Sequence, residues 1–565
     1  MKFPEFEYKR PDFESYKRQM RSSLEDFKNA KNAEEQIALI DSINKMRNTV
    51  ATQSTLASIR HSINNNDEFY TAENDYWDEN NPLYQNEDTA FAKAILSSVF
   101  LDELKAHYPL QYFTLLENAI KAFDESIIED LQQENKLATQ YDRIKATARI
   151  EFEGKTYTLP GMTKLEQSAD RSLRERAYKA KIAYYEKHEA EIDDIYDKMV
   201  KVRDKMAKKL GYKNFVELGY VRMNRSDYNA KDVAGYREAI LKNVTPIATD
   251  LAEKQRVRLG LDKLHFYDMP YKFKSGMPCP KGDEKWIIEN GRKMYNELSP
   301  ETAEFFAFMA DNELMDLLSK DGKAGGGYCT FMSDFASPFI FSNFNGTAGD
   351  IEVLTHEAGH AFQIYTSRYI TIPECQWPTY ESCEIHSMSM EFFTYPWMKN
   401  FFKEDTDKFY FNHLAGTLTF LPYGVLVDHF QHEVYEHPEM SPAERKATWR
   451  KLEKMYQPSK DYEGCEFLER GGWWFQQAHI FDSPFYYIDY TLAQVCALQF
   501  YAKLSADYKE AWKDYLHLCT LGGTKSFLGL VKEANLENPF ASGTIEATMK
   551  AVLPHLEEFS KGNIN

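Results

Sequence analysis

The residues with the clearest chemical potential are His356, Glu357 and His360, which lie in the sequence Leu-Thr-His-Glu-Ala-Gly-His-Ala-Phe-Gln over residues 354–363. On an α-helix, side chains four residues apart share one face about 6 Å apart, so both imidazoles can reach one tetrahedral Zn²⁺ ion. Glu357 is rotated by about 100° from His356, which lets its carboxylate reach a water held at the metal without binding the metal itself. Such a water has a pKa near about 7 and needs a base when it attacks a carbonyl carbon. The spacing therefore predicts one zinc ion, a nucleophile and a base together.

The motif lies in an apolar helical pattern, so we expect the helix that carries it to be buried. Apolar residues surround the histidines at Val353, Leu354, Ala361 and Ile364. The competing interpretation is a pair of surface histidines on an ordinary helix. Histidines and a glutamate on a buried helix need polar partners, because an unpaired buried polar group is costly. The pattern therefore favours a metal site.

A third protein ligand is needed if the fourth coordination position is to stay open for water. The next helical pattern, residues 379–391, offers Glu381, Glu384, His386 and Glu391. Spacing alone leaves Glu381 and Glu384 as equal candidates for the ligand. The one that does not bind the metal is a candidate to orient a ligand imidazole through its second nitrogen.

A rival cluster of metal-binding residue types occurs at residues 428–433, where Asp428 and His432 share a helix face. This pair could bind a metal or line a cleft. It has no hydrolytic base at a defined offset, so we interpret it as an exposed or satisfied polar face.

Helix-period patterning extends over most of the chain. Residues 13–147 predict several long helices, joined by polar turns at residues 64–67 and 80–82. A short β-hairpin is predicted over residues 150–159, because alternating residues flank a Gly-Lys turn. Helices resume near Ser168, with Ser168 or Asp170 as the N-cap, and continue to about residue 258.

One segment differs from this helical background. Residues 323–346 are rich in Gly, β-branched and aromatic residues and contain an Asn-Gly turn signal, so they predict two or three short strands. The predicted fold is mainly α, with a small β-sheet next to the HExxH helix. We divide the chain into an N-terminal helical region (1–160), a helical lobe that continues the scaffold (161–322) and a catalytic region (323–565).

Composition excludes several classes of protein. The 565 residues carry 68 basic and 87 acidic side chains, a net charge of −19, which argues against a nucleic-acid partner. Seven scattered cysteines without a C-x-x-C pair argue against a disulfide framework. The longest nearly apolar run, residues 414–427, is shorter than the roughly 20 residues that a membrane span needs, and the first residues lack a signal-peptide pattern. We therefore expect a soluble cytoplasmic protein.

The motifs together resemble the thimet oligopeptidase and oligoendopeptidase F family of zinc metallopeptidases. The resemblance covers roughly residues 150–540, and the bacterial oligoendopeptidase F branch fits the chain length best. The segments that carry it are residues 356–362, 384–391, 338–347, 479–490 and 196–212.

This resemblance implies an answer to the open question of the third ligand. The family's ligand glutamate begins a Glu-x-x-Ser-x-x-x-Glu-like stretch, and Glu384 holds that place, which leaves Glu391 to orient a ligand. The resemblance also implies two helical lobes around a deep substrate channel, with zinc at its floor. Its substrates would be short unstructured oligopeptides cut internally, and the chain would be a monomer or homodimer.

A tetrahedral oxyanion needs donors besides the metal, and the candidates are His479, Tyr486, Tyr487 and Tyr490. We expect Pro484 to start a helix that places Tyr486 and Tyr490 on one face, with His479 in the preceding loop. With 36 tyrosines in the chain, simple packing is the competing interpretation. The family implies that His479 and Tyr490 contact the transition state, and either Tyr486 or Tyr487 would contact substrate.

Gly326 and Gly327 lie in a Gly-Gly-Gly run before the predicted strands. They could let a peptide backbone approach closely or form the hinge of a lid, and the following strand could pair with an extended substrate. An ordinary flexible loop is the alternative.

We therefore expect a zinc oligoendopeptidase in which Glu357 moves the water's proton to the leaving amine. One alternative is a zinc carboxypeptidase on a similar helical scaffold. Another is a helical peptide-binding protein without catalysis, which the intact Glu357 disfavours, because a structural zinc site needs no base.

Overall fold

The computed structural model describes residues 1–564, and most of them lie in α-helices. Several helices begin at a side chain that accepts a hydrogen bond from the first turn. Asp12, Asn32 and Asp67 each cap a helix in this way. The helices before the first strand are α1 (Phe13–Asn29), α2 (Ala33–Ile63), α3 (Glu68–Leu96), α4 (Leu101–His107), α5 (Leu110–Ala122) and α6 (Ile128–Ala146).

The polar turn expected at residues 80–82 is wrong, because α3 continues through Pro82. A proline inside a helix leaves the carbonyl four residues earlier without its amide partner. Here that carbonyl, on Asp78, accepts a hydrogen bond of 3.1 Å from the side-chain amide of Asn135 on α6. The neighbouring carbonyl of Glu79 accepts 2.7 Å from Gln132 in the same way. Packing against α6 therefore keeps the helix intact.

The predicted hairpin is confirmed: β1 (Ile150–Phe152) pairs antiparallel with β2 (Lys155–Tyr157). Asp170 rather than Ser168 caps the helix that follows α7. A long loop after Leu259 separates the last two helices of this part from the others. The helices are α7 (Leu159–Glu166), α8 (Arg171–Lys187), α9 (Glu189–Lys209), α10 (Phe215–Arg222), α11 (Ala230–Asn243), α12 (Thr245–Leu259), α13 (Glu284–Leu298) and α14 (Pro300–Asp311).

A second sheet lies immediately before the HExxH segment, as predicted. Its strands β3 (Met315–Leu318), β4 (Tyr328–Met332) and β5 (Ser337–Phe344) stand in the order β3-β5-β4. β3 runs parallel to β5 and β4 antiparallel to it, so β4 is an edge strand. β3 lies before the predicted strand segment, and its four residues, Met-Asp-Leu-Leu, are too few to distinguish a strand from the end of a helix.

The remaining chain is helical. Short 3-10 turns connect some of its helices, including Tyr395–Trp397 and Gly472–Gln476. The helices are α15 (Gly349–Thr366), α16 (Pro373–Gln376), α17 (Tyr380–Phe393), α18 (Met398–Phe402), α19 (Thr406–Glu436), α20 (Pro442–Tyr456), α21 (Glu466–Glu469), α22 (Ala478–Asp482), α23 (Tyr487–Ala506), α24 (Tyr508–Thr520), α25 (Phe527–Glu533) and α26 (Thr544–Ser560).

Two hydrophobic cores stabilise these elements. The smaller core joins apolar residues of α1–α5 with Ile370 and Cys375, and the larger one runs through the rest of the chain, including α15, α17, α19 and α23. Within residues 1–564, no helix combines the length and the apolar character that crossing a bilayer requires.

Candidate metal centre and active site

The helix α15 is positioned by a tight turn after β5. Gly346 adopts φ 84°, a conformation that favours glycine. The Asp350 carboxylate, in the first turn of α15, accepts hydrogen bonds of 2.9 Å from the backbone amides of Asn345 and Gly346. The turn and the helix start therefore hold each other, and α15 packs against β5 and β4.

Gly359, between the two histidines of the motif, lets α15 and α17 cross closely. A Cβ at this position would lie 2.6 Å from the Cα of Ser387 and 2.7 Å from the carbonyl oxygen of His386. Glycine inside a helix costs about 0.5–1 kcal/mol relative to alanine. This close approach brings the second ligand-bearing helix within reach of the first.

The three predicted ligands converge. The ligand atoms of His356, His360 and Glu384 all lie within 4.8 Å of one another. Glu384 Oε2 is 3.1 Å from His356 Nε2 and 3.3 Å from His360 Nε2. Two imidazoles and one carboxylate from two helices are a donor set that fits a divalent metal such as zinc, with a side left open.

Glu381, the other candidate ligand, points away from this cluster. It is buried near Arg225 and Asp489, where burial, with the Asp489 carboxylate acting in the same direction, raises the pKa of Glu381 to about 8. Three residues separate Glu381 from Glu384, so the helix turns the two carboxyl groups to different surroundings.

A chain of hydrogen bonds holds the first ligand. Glu391 Oε1 lies 2.7 Å from His356 Nδ1, and its other oxygen lies 2.6 Å from His413 Nε2. Tyr395 completes the chain, with its hydroxyl 2.6 Å from His413 Nδ1. Because Nδ1 of His356 is engaged, its Nε2 is the nitrogen that faces the ligand cluster.

Two hydroxyl groups hold the carboxylate ligand. Ser387 donates a hydrogen bond of 2.9 Å to Glu384 Oε2, and Tyr486 donates to Oε1. Burial alone would raise the pKa of Glu384, but the imidazoles of His360 and His356 lower it well below its usual value. The ligand oxygens are thus fixed from three sides.

Glu357 faces the same space without a partner. The residue is only 6% exposed, and its Oε2 has no hydrogen-bond partner among residues 1–564. Burial raises the pKa of Glu357, and the two histidines oppose this effect. Gly327 leaves room beside it, because a Cβ there would lie 3.3 Å from Glu357 Oε1.

A second polar chain reaches the site from α19 and α22. Tyr423 donates 2.9 Å to the Gln477 side-chain oxygen, and the amide of Gln477 donates 2.9 Å to His479 Nδ1. His479 Nε2 then donates 3.0 Å to the hydroxyl of Tyr490. Burial, assisted by the Lys145 ammonium, lowers the pKa of His479 to about 4, so the ring is neutral near pH 7. The expected loop position of His479 is wrong, since it lies in α22.

The three candidate ligands, Glu357 and the His479–Tyr490 pair line one cavity of about 720 Å³. The helix expected from Pro484 begins only at Tyr487, yet the rings of Tyr486 and Tyr490 stack with centroids 4.8 Å apart, as the shared face predicted. Tyr487 lines a neighbouring cavity instead, and its ring centroid lies 5.0 Å from that of His479 and 5.5 Å from that of Tyr490. Cavity residues from the predicted site are His356, Glu357, His360, Glu384, His479, Tyr486, Tyr490 and Gly327.

Gly326 does not line the metal cavity but a smaller one beside the start of α15. Its φ of 88° turns the chain just before β4, and its carbonyl oxygen accepts a hydrogen bond of 2.8 Å from the Asn343 side chain. The rival pair at Asp428 and His432 is buried and bonded to neighbouring side chains, although Asp428 Oδ1 has no hydrogen-bond partner among residues 1–564. Asp428 forms an ion pair of 2.5 Å with Arg237, and His432 Nε2 lies 3.0 Å from the Tyr220 hydroxyl.

Several residues that support the site were missed from the sequence. His413 and Tyr395 lie on α19 and a 3-10 turn, and no spacing to the motif identifies them. Gln477 lies two residues before His479, and no spacing rule indicates that its side chain bonds to the His479 ring. Gly359 carried a usable signal, because a glycine inside a buried helix is costly and needs a packing reason.

Fold and site together define the class of protein, a peptide hydrolase, and comparison with protein families supports this. The Peptidase M3 N-terminal domain matches residues 3–123, and Peptidase family M3 matches residues 164–275 and 304–550. The chain belongs to peptidase family M3.

Solved structures agree over the full length. A structure of PZ peptidase A with an inhibitor is 52% identical, with a TM-score of 0.98 and 99% of each chain covered. A structure described as an oligoendopeptidase F is 51% identical, with a TM-score of 0.98 over 100% of this chain and 99% of that one. Another so described, from Bacillus anthracis, is 51% identical, with a TM-score of 0.93 and coverage of 99% and 98%. A comparison with curated proteins finds no match. The expected mainly helical fold and the family resemblance are confirmed.

Proposed function

We propose that this peptidase is a zinc-dependent oligoendopeptidase that cuts short unstructured peptides at internal bonds. The observation that carries the proposal is the convergence of His356, His360 and Glu384 within 4.8 Å, beside an unpartnered Glu357 carboxylate. A structural zinc site closes its fourth position and needs no base. The arrangement here leaves a base facing open space.

The donor set supports zinc among the common metals. Two imidazole nitrogens and one carboxylate oxygen suit the borderline character of Zn²⁺, whereas magnesium and calcium prefer oxygen ligands. When bound, zinc supplies Lewis acidity that polarises a carbonyl and acidifies a water. His356, His360 and Glu384 would hold it, with Glu391, Ser387 and Tyr486 fixing their orientation.

Glu357 is the group that moves the proton. Its Oε2 is free to accept a proton from the attacking water, and it can return that proton to the leaving amine nitrogen. Burial raises its pKa, which makes the carboxylate a stronger base than an exposed glutamate. The same side chain therefore serves as base and then as acid.

Tyr490 and His479 are the donors that would stabilise the oxyanion. With Gln477 donating to Nδ1, the proton of His479 is on Nε2 and points to the Tyr490 hydroxyl. The Tyr490 hydroxyl accepts that bond, so its own proton is available to the cavity. Such fixed donors stabilise developing negative charge without reorganisation.

The enclosure of the site supports the preference for short peptides. His360 is only 9% exposed, and the edge strand β4 lines the metal cavity through Tyr328, Cys329 and Thr330. An extended peptide can pair with such an edge through its backbone, whereas a folded domain cannot enter. Binding by backbone rather than by the chain end supports internal cleavage.

The experiment that tests this proposal is Glu357→Gln, measured for both metal content and turnover. We expect one zinc per chain to remain and kcat to fall by about three orders of magnitude or more, because the base is lost while the ligands stay. Glu301→Gln, on the exposed start of α14, removes the same charge and serves as the control. Near-normal turnover in Glu357→Gln would refute the assignment of the base.

A fluorescence-quenched peptide blocked at both ends separates the two modes of cleavage. An endopeptidase cuts it, and a carboxypeptidase leaves it intact. Intact peptide after long incubation with zinc-loaded enzyme would contradict internal cleavage.

A further inference from the structure

Two further cavities continue from the metal cavity. The first, of about 480 Å³, shares His479 and Tyr490 with it and is called the middle cavity. The second, of about 450 Å³, shares Lys272 with the middle cavity and is called the cationic cavity. A peptide that extends past His479 would therefore run toward Lys272, which borders both the middle cavity and the cationic cavity.

The cationic cavity contains two cations without ion-pair partners. Lys272 and Arg258 both line it, and neither has a carboxylate oxygen within 4.0 Å among residues 1–564. A third cation, Lys460, is already paired with Glu453 at 3.2 Å. In a chain with a net charge of −19, two cations left unpaired in one internal cavity are conspicuous.

Arg258 is held in place by aromatic rings rather than by an acid. Its guanidinium lies 4.7 Å from the ring centroid of Phe411 and 5.5 Å from that of Phe273, and its Nε is buried without a partner in the described chain. The stacked guanidinium keeps its remaining N–H groups directed for a bidentate acceptor.

Lys272 is held in the cavity at a cost. Burial lowers its pKa to about 8, and the nearby Arg258 acts in the same direction, while Glu352 opposes the shift without forming an ion pair. The ammonium form still predominates at neutral pH. A half-buried cation next to a second cation is stabilised by any anion that enters.

We propose that Lys272 and Arg258 bind a carboxylate group of the peptide substrate at a fixed distance from the metal centre. The inference rests on the proposed peptidase function and names the substrate class, a short peptide with a carboxylate several residues from the cleaved bond. The walls of the cationic cavity, which include Tyr178, Phe266 and Trp473, suit the apolar part of the residue that bears this group. The carboxylate is either the C-terminus or the side chain of an acidic residue.

Two series of quenched peptides distinguish these sources. In the first, one sequence is made with a free C-terminal carboxylate and with a C-terminal amide. In the second, the amidated peptide carries Glu or Gln at successive positions on either side of the cleaved bond. KM and kcat are measured for each zinc-loaded enzyme.

For one peptide pair, the wild-type KM of the carboxylate form should be about tenfold lower than the KM of the neutral form. A tenfold difference corresponds to roughly one charge-assisted hydrogen bond. Lys272→Met and Arg258→Met should bring that ratio close to one. Lys272→Arg, which keeps the charge, should retain most of the ratio. Lys274→Met, two residues away on the exposed side of the loop, is the matched control and should leave the ratio unchanged.

The outcomes separate this inference from the proposed function. Absence of cleavage for every peptide would refute the peptidase proposal. If every peptide is cleaved but the carboxylate and neutral forms of each pair have equal KM, the carboxylate site is refuted and the peptidase proposal stands. A preference for the carboxylate form that survives in Lys272→Met and Arg258→Met would also refute the site. Loss of the preference in those variants, with thermal unfolding unchanged, supports it.

Discussion

Replacing Gly359 by alanine tests the packing that brings the two ligand-bearing helices together. The added methyl group would stand 2.6 Å from the Cα of Ser387 and 2.7 Å from the carbonyl oxygen of His386. Both contacts are with backbone atoms of α17, so no side-chain rotation can relieve them. The helices themselves must separate.

The size of that movement follows from the distances. Ordinary contact begins near 3.4 Å, so α17 must shift from α15 by about 0.8 Å. Metal sites tolerate ligand displacements of only about 0.2 Å. Overpacking of this kind costs about 1–3 kcal/mol, which corresponds to an affinity for zinc about 5- to 150-fold lower if the strain is expressed at the site.

The assay is competition for zinc with a chromogenic chelator, followed by turnover of a quenched peptide at increasing free zinc. We expect Gly359→Ala to bind zinc about 5- to 150-fold more weakly and to recover part of its activity when zinc is raised. Gly235→Ala is the control, because its Cβ meets no atom within 4 Å. That exposed change on α11 should leave zinc binding unchanged and stabilise the fold by about 0.5–1 kcal/mol.

One result would refute this reasoning. Suppose that Gly359→Ala binds zinc with an affinity within about twofold of wild type. That loss of affinity is smaller than the helix separation predicts, so the close crossing would not set the ligand geometry. Circular dichroism and the unfolding midpoint identify a variant that fails for lack of folding.

Two further predictions concern the donor chain and the fold. Burial lowers the pKa of His479 to about 4, so the ring stays neutral at pH 5–6. His479→Gln should therefore lower kcat by about 100-fold, because a fixed donor is lost, without moving the acid limb of the pH profile. An acid limb near pH 6.5 that vanishes in the variant would contradict this. Asn135→Ala should destabilise the fold by about 1–2 kcal/mol in urea unfolding, because the Asp78 carbonyl left free by Pro82 loses its partner; an unchanged midpoint would show that another group satisfies the carbonyl.

The sequence predicted the site where chemistry dictates spacing. His356 and His360 share a helix face by periodicity alone, and the structure brings them together with Glu384 as expected. Residue spacing could not decide whether Glu381 or Glu384 faces the two histidines, because this depends on how α17 is rotated about its axis against α15. That rotation is set by the contact at Gly359, a property of two helices rather than of one.

Hydrogen-bond partners that lie on other helices could not be predicted from the sequence either, because they also depend on how the helices pack. His413 reaches Glu391 from a different helix, and Asn135 satisfies a carbonyl 57 positions away. Local rules correctly predict that Pro82 disrupts a helix bond, but they cannot supply the amide that replaces it. Strand β3 was also missed, because four residues carry too little pattern to distinguish a strand from a helix end.

The hydroxyl of Tyr486 that holds Glu384 comes from a position 102 residues later in the chain. At about 5–20 residues per second, a ribosome needs roughly 5–20 s to add that stretch. A nascent polypeptide exposes its histidines well before the tyrosines that complete their surroundings have been translated. The carboxylate of Glu384 thus gains this hydrogen bond only late in biosynthesis, after most of the chain has been translated.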